Sequence, residues 1–136
     1  MKTRTIALFS ILALIALFMV ACDFSFSTAN IPNAFMSADP DGAQPTTAYD
    51  QDDVFYAIVE LANAPDETTV TAVWIAVDID GTDPNTTLDE VVATSGDAVL
   101  TFDLANSPDL LWPLGQYRVD IYLNDQRNTS LDFEVK

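Results

Sequence analysis

One thiol, 21 carboxylates and no imidazole define the chemistry open to this chain. Without histidine, and with Lys2 and Lys136 as the only lysines, the nucleophile and base pairs of acyl-transfer catalysis have no members. Paired carboxylates alone can hydrolyse glycosides, but acids scattered this densely meet by chance, and no positioned set stands out. The chain therefore reads as non-enzymatic, with no cofactor implied. One acidic run has ligand-like spacing. Asp78-Ile79-Asp80-Gly81-Thr82-Asp83 places oxygen donors two residues apart before a glycine, as calcium loops do. An EF-hand frame fails, because setting Gly81 sixth puts Ala76 first and Thr87 last, where carboxylates are required. A solvated hairpin turn is the favoured reading. Asp78, Asp80 and Asp83, joined by Asp50, Asp52 and Asp53 from a long loop, stay open as candidates for a weak calcium site.

The thiol is Cys22, and its surroundings matter more than its reactivity. Lys2 and Arg4 form a cationic start, Ile6 to Val20 is apolar apart from Ser10, and Met19-Val20-Ala21 leads directly to the cysteine. This is the layout of an export signal. It resembles the bacterial lipoprotein signal, in which an aliphatic residue three before the cysteine and small residues just before it let a peptidase cut ahead of a lipid-modified cysteine. The resemblance implies a signal peptide over 1–21, a tether over 22–30 and a covalent lipid on Cys22. Lipidation would also remove an unpaired thiol from an oxidising compartment, where it is a liability. An uncleaved span is disfavoured, since crossing a hydrocarbon core takes about 20 apolar residues and this run ends in Cys22-Asp23.

All 21 acidic residues lie beyond Cys22, but only Arg118, Arg127 and Lys136 of the five basic ones do, so the net charge of −16 becomes −18 once the signal is removed. Nucleic acid is excluded as a partner, because phosphate-backbone binding is driven by basic side chains that release counterions. Anionic headgroups are repelled likewise, so membrane attachment falls to the lipid alone. Such acidity speaks first to solubility.

The remaining 115 or so residues have the length of one domain. Asp23 to Asn30 is small and polar with Phe24 and Phe26 inserted, which suits a tether. A first strand is expected over Ile31 to Ala38, and Asp39 to Asp53, with Pro40, Gly42 and Pro45, reads as an exposed loop. Val54 to Ala62 and Thr68 to Ile79 are strands rich in residues suited to pleated surfaces. Leu88 to Thr94 and Ala98 to Leu104 are shorter ones, and Ser107 to Gly115 is an apolar connection. Tyr117, Val119, Ile121 and Leu123 alternate with Arg118, Asp120 and Tyr122, and Leu131, Phe133 and Val135 alternate with Asp132 and Glu134. That period of two predicts half-buried strands, joined by a hairpin loop over Asn124 to Asn128. About seven strands at short intervals imply a single antiparallel β-sandwich.

Trp74 on the third of these strands, the run Trp112-Pro113-Leu114-Gly115-Gln116-Tyr117-Arg118-Val119, and the closing Leu131-Asp132-Phe133-Glu134-Val135 carry a resemblance to immunoglobulin-like domains, notably the small ones of bacterial secreted lipoproteins. It covers 31–136. The resemblance implies that Trp74 fills the centre and that the Tyr117 hydroxyl bonds back to the backbone. The usual disulfide between the sheets has no cysteines here, so Val59 and Val119 are expected to fill its place.

If Trp74 faces the core with Val70, Ala72 and Ala76, then Val73, Ile75 and Val77 face outward. If Phe55, Ala57, Val59 and Leu61 face inward, Tyr56, Ile58 and Glu60 face outward. Tyr56, Ile58, Val73, Ile75 and Val77 are then expected to form one contiguous apolar patch, the kind of surface that marks an interaction site. Together these readings describe an all-β, lipid-anchored binding or spacer module on the extracytoplasmic side of a bacterial envelope membrane. Its partner is an unidentified protein or glycan. An accessory subunit of a membrane or secreted complex and a calcium-dependent ligand-binding module are the alternatives.

Overall fold

The computed structural model describes residues 27–136, which hold strands and turns and no helix; the predicted signal segment and Cys22 lie outside the described residues. The strands are β1 (Asn30–Ser37), β2 (Ala48–Tyr49), β3 (Phe55–Ala62), β4 (Thr68–Ile79), β5 (Thr86–Ser95), β6 (Ala98–Leu104), β7 (Gly115–Leu123) and β8 (Gln126–Val135). They form a three-stranded sheet, β1-β3-β6, and a five-stranded sheet, β2-β8-β7-β4-β5. All pairings are antiparallel except β2 with β8. The count is eight rather than seven because β2, two residues long, lies inside the predicted loop. Its pairing with β8 rests on the Glu134 and Lys136 amides donating to the Thr47 and Tyr49 carbonyls at 2.9 and 3.0 Å. Two residues are too few to show periodicity.

The predicted inward sets are the ones found buried. Phe55, Ala57, Val59 and Leu61 from β3 meet Val70, Ala72, Trp74 and Ala76 from β4 and Tyr117, Val119 and Ile121 from β7. Val59 and Val119 are fully buried in the core. Phe55 lies at the centre of the aromatic residues. Its ring centroid is 4.7 Å from that of Trp112, 4.8 Å from Phe133, 5.0 Å from Tyr49, 5.7 Å from Tyr117 and 6.5 Å from Trp74. The Tyr117 hydroxyl donates to the Pro113 carbonyl at 2.7 Å, the backward bond expected of a tyrosine at the start of this strand. The Tyr49 hydroxyl donates to the Ser37 carbonyl at 2.7 Å. Burial is the leading influence that pushes both phenols up to about 12.

The β7–β8 hairpin is tighter than predicted. Leu123 pairs with Gln126, leaving a two-residue turn in which Asn124 and Asp125 both have positive φ, 48° and 65°. That conformation matches the right-handed twist of the flanking strands, and asparagine and aspartate tolerate it better than most side chains.

The outer faces correct the expected apolar patch. Tyr56 and Ile58 belong to the three-stranded sheet, and Val73, Ile75 and Val77 to the five-stranded one, so their outward sides point to opposite surfaces of the sandwich. Neither isoleucine is free, at 4% exposure for Ile58 and 7% for Ile75. Over Ile58 lies the loop after β1. Its Gly42, at φ +71°, comes so close that an added Cβ would stand 3.2 Å from Ile58 Cγ1 and 3.1 Å from the Phe35 ring. Asp39 folds this loop back. Its carboxylate accepts from the Ser37 hydroxyl and the Gln44 amide, each at 2.7 Å, and from the Ala43 amide at 3.1 Å. The Ser37 bond foremost, with help from the backbone amides, holds the Asp39 carboxyl below its ordinary value. From the sheet below, the Thr101 hydroxyl donates to the Pro40 carbonyl at 3.0 Å. Ile75 stands in the ladder between Thr87 and Arg118. The Arg118 guanidinium spans from Asn85 Oδ1 at 2.9 Å to the Asp120 carboxylate at 3.2 Å. Asp120, almost wholly buried, also accepts from Arg127 and Ser130. The polar latch and the returning loop cover Ile75 and Ile58.

Truncating Trp74 to alanine should cost about 3–5 kcal/mol, the usual range for a core aromatic, whereas Val92→Ala on the exposed β5 should cost under about 0.5 kcal/mol; urea melts compare the two. Ile58→Thr and Ile75→Thr should each lower stability by about 1–3 kcal/mol, because each puts a hydroxyl into a covered apolar site, and the same melts would show them silent if the faces were open. Alkaline titration followed by tyrosinate absorbance should show Tyr49 and Tyr117 ionising late. Their folded values lie above the unfolded value near 10, so the stability they contribute is complete below pH 10 and falls away as pH rises towards about 12.

Candidate functional site

With the five patch residues divided between two surfaces, the chemistry-bearing side chains that remain are carboxylates in loops. Asp78, Asp80 and Asp83 are exposed around the β4–β5 turn. That turn satisfies itself. The Asn85 amide donates to the Val77 carbonyl at 3.1 Å and the Thr86 hydroxyl to the Asp83 carbonyl at 2.6 Å. Gly81 and Asn85 take the positive φ values, 79° and 58°. These are the features of a hairpin turn. The carboxylates that gather among the described residues are instead Asp50, Asp52 and Asp53, with oxygens within 4.8 Å of one another. Part of that closeness is turn geometry, because Asp53 Oδ2 accepts the Asp50 amide at 2.7 Å and the Asp53 amide donates to the Asp50 carbonyl at 3.2 Å.

Strand directions sort the loops into two ends. At one end lie the β3–β4, β5–β6 and β7–β8 turns, cross-linked by the Ala64 amide donating to Asp97 Oδ1 at 2.7 Å and the Asn124 amide donating to the Thr69 carbonyl at 2.9 Å. The chain comes in here. Thr28 Oγ1 donates to the Asn63 carbonyl at 2.8 Å and Asn124 Nδ2 to Ser27 Oγ at 3.3 Å. At the opposite end lie the β2–β3 loop with Asp50, Asp52 and Asp53, the β4–β5 turn with Asp80 and Asp83, and the long loop from Ala105 to Leu114. Twelve residues of β4 separate the two ends, about 40 Å at the strand rise of about 3.3 Å per residue.

The long loop is pinned rather than slack. Trp112 is turned inward, stacked on Phe55, with its indole N–H donating to the Asp53 carbonyl at 2.9 Å. Its amide donates to the Gln51 carbonyl at 2.8 Å and its carbonyl accepts from Gln51 Nε2 at 2.8 Å. Pro113 takes the Tyr117 hydroxyl, and Gly115, at φ +140°, presses so close to β4 that a Cβ would stand 2.3 Å from the Asp78 carbonyl oxygen. With its tryptophan inside, the loop leaves Leu110 and Leu111 at 60% exposure and Leu114 at 51%. Asp52, Asp53, Asp109, Leu110 and Leu111 line a cleft of about 370 Å³ there. The apolar connection was legible in the sequence, but which of its side chains turn inward was not. Trp112 takes the inward position.

No known protein family and no curated protein matches this sequence. Solved structures with a similar fold do. An immunoglobulin-like protein from Pseudomonas aeruginosa matches 83% of this chain and all of its own, with a TM-score of 0.53 and 13% identity. The alkylpurine DNA glycosylase AlkC of Pseudomonas fluorescens, solved with DNA containing an abasic site analogue, matches 81% of this chain with a TM-score of 0.54 and 14% identity. This chain spans only 31% of that glycosylase. At such identities the likeness is one of fold, and the fold is an immunoglobulin-like β-sandwich.

Proposed function

We propose that this chain is a lipid-anchored, non-catalytic binding module of a bacterial envelope, held on the extracytoplasmic side by Cys22 and reaching away from the membrane through its sandwich. The observation that carries the reading is the polarity of the domain. The chain arrives at the end formed by Ser27, Asn63 and Asn124, and the exposed leucines and loop carboxylates stand at the other. A module tethered at Cys22 would therefore carry that second end about 40 Å, the length of β4, beyond the end where the chain comes in. Support for a non-catalytic role comes from the side chains themselves, since histidine is absent and all three basic residues beyond Cys22 are committed to carboxylates. The same polarity suits an accessory subunit that docks on a larger envelope complex, which is the same act of binding with a membrane-embedded partner.

The anchor is tested by mass spectrometry of the membrane fraction. The mature protein should begin at Cys22 and carry at least two acyl chains, because at about 0.8 kcal/mol per buried methylene one chain holds only marginally. An unmodified Cys22, or a chain still bearing Met1, would refute it.

A further inference from the structure

Two leucines stand at 60% exposure on a loop that is otherwise clamped. The clamp is built at the loop's C-terminal side by Trp112, through Phe55, Asp53 and Gln51. At its other side the Leu110 amide donates to the Ser107 carbonyl at 3.1 Å, and Asp109 is held at φ +66°. A sequence free to hide Leu110 and Leu111 would turn them in. This loop turns Trp112 inward, and its clamped backbone leaves the leucines outside. A clamped backbone lowers the ordering cost of binding, and exposed apolar clusters mark interaction surfaces.

The surroundings specify what covers them. The cleft beside Leu110 and Leu111 is flanked by Asp52, Asp53 and Asp109. Among the described residues Arg118 and Arg127 pair with Asp120 and Lys136 lies 3.4 Å from Glu134, so no basic side chain of this chain pairs with Asp52, Asp53 or Asp109. A second copy would bring the same carboxylates face to face, and an anionic bilayer would be repelled. Complementary charge selects a cationic occupant. We infer that the Asp109–Leu111 knuckle and the cleft beside it dock a partner protein whose surface sets a lysine or arginine next to an apolar socket. The cation enters between Asp52, Asp53 and Asp109, and the socket covers Leu110 and Leu111. This rests on the binding-module reading above and gives it a surface and a partner chemistry.

The test uses the full chain in a nonionic detergent and a defined probe, an 18-residue amphipathic helix of lysine and leucine, followed by calorimetry and by tryptophan fluorescence, since Trp112 lies beneath the loop. Binding should weaken at least tenfold in the double variant Leu110→Ser, Leu111→Ser and should fall in 0.5 M salt. Asp52→Asn with Asp109→Asn should weaken it comparably, and Val99→Ser, an exposed valine on β6, should leave it unchanged. Unaltered urea midpoints establish that the variants fold. Equal binding by the leucine variant, equal binding of a probe whose leucines are replaced by serine, self-association through the loop in sedimentation, or leucine-dependent capture by anionic vesicles would each overturn the proposal. None of these outcomes touches the lipid on Cys22, so loss of the docking surface and loss of the anchor are read separately.

Discussion

Phe55 is the contact on which this structure depends. It is the first residue of β3, in the smaller sheet, yet its ring meets Trp74, Tyr117 and Phe133 of the larger sheet, Tyr49 of the two-residue strand and Trp112 of the long loop. A sandwich of this kind is often pinned by a disulfide at its centre. Here the pin is aromatic and lies towards the end away from the point where the chain comes in, while Val59, Val119, Val70 and Ile121 pack the rest. Edge-to-face and offset contacts of this sort add specificity to the area they bury. They tie the order of the Ala105–Leu114 loop directly to the packing of the core.

The same dependence explains why the outer faces need cover. A three-stranded sheet has few residues with which to shield its outward side, and Ile58 lies in its middle strand. The loop after β1 supplies the cover by folding back on the Asp39 carboxylate, so that Gly42 rather than water meets Ile58. On the larger sheet the cover comes from within the strands, where Asp120 gathers Arg118, Arg127 and Ser130. The open edge of β5 carries Asp89 and Glu90, charges of the kind that discourage edge-to-edge pairing.

The two ends of the sandwich differ from each other. One end takes the chain in and is stitched by Asn63, Asn124 and Asp97. The other combines carboxylates with leucines that a rigid backbone holds out of the core.

The alternation in β3, β4, β7 and β8, the ends of β4 and β6, the central Trp74 and the inward sets were all legible in the sequence, because a period of two fixes which residues share a side and apolar content fixes which side is buried. The backward bond of Tyr117 was what the resemblance to immunoglobulin-like domains implied. Which sheet each strand joins was not legible, because pairing between distant segments leaves no trace in local periodicity. That is why Tyr56 and Ile58 were joined to Val73, Ile75 and Val77 in one patch when β3 and β4 lie in different sheets. Tertiary structure alone decided that Ile58 is roofed by a loop, that Tyr49 belongs to a strand, and that Trp112 turns in while Leu110 and Leu111 turn out. Each of these depends on a contact between segments well separated in the chain, Gly42 with Ile58, Lys136 with Tyr49, or Trp112 with Phe55, and such contacts exist only once those segments have been brought together by the fold.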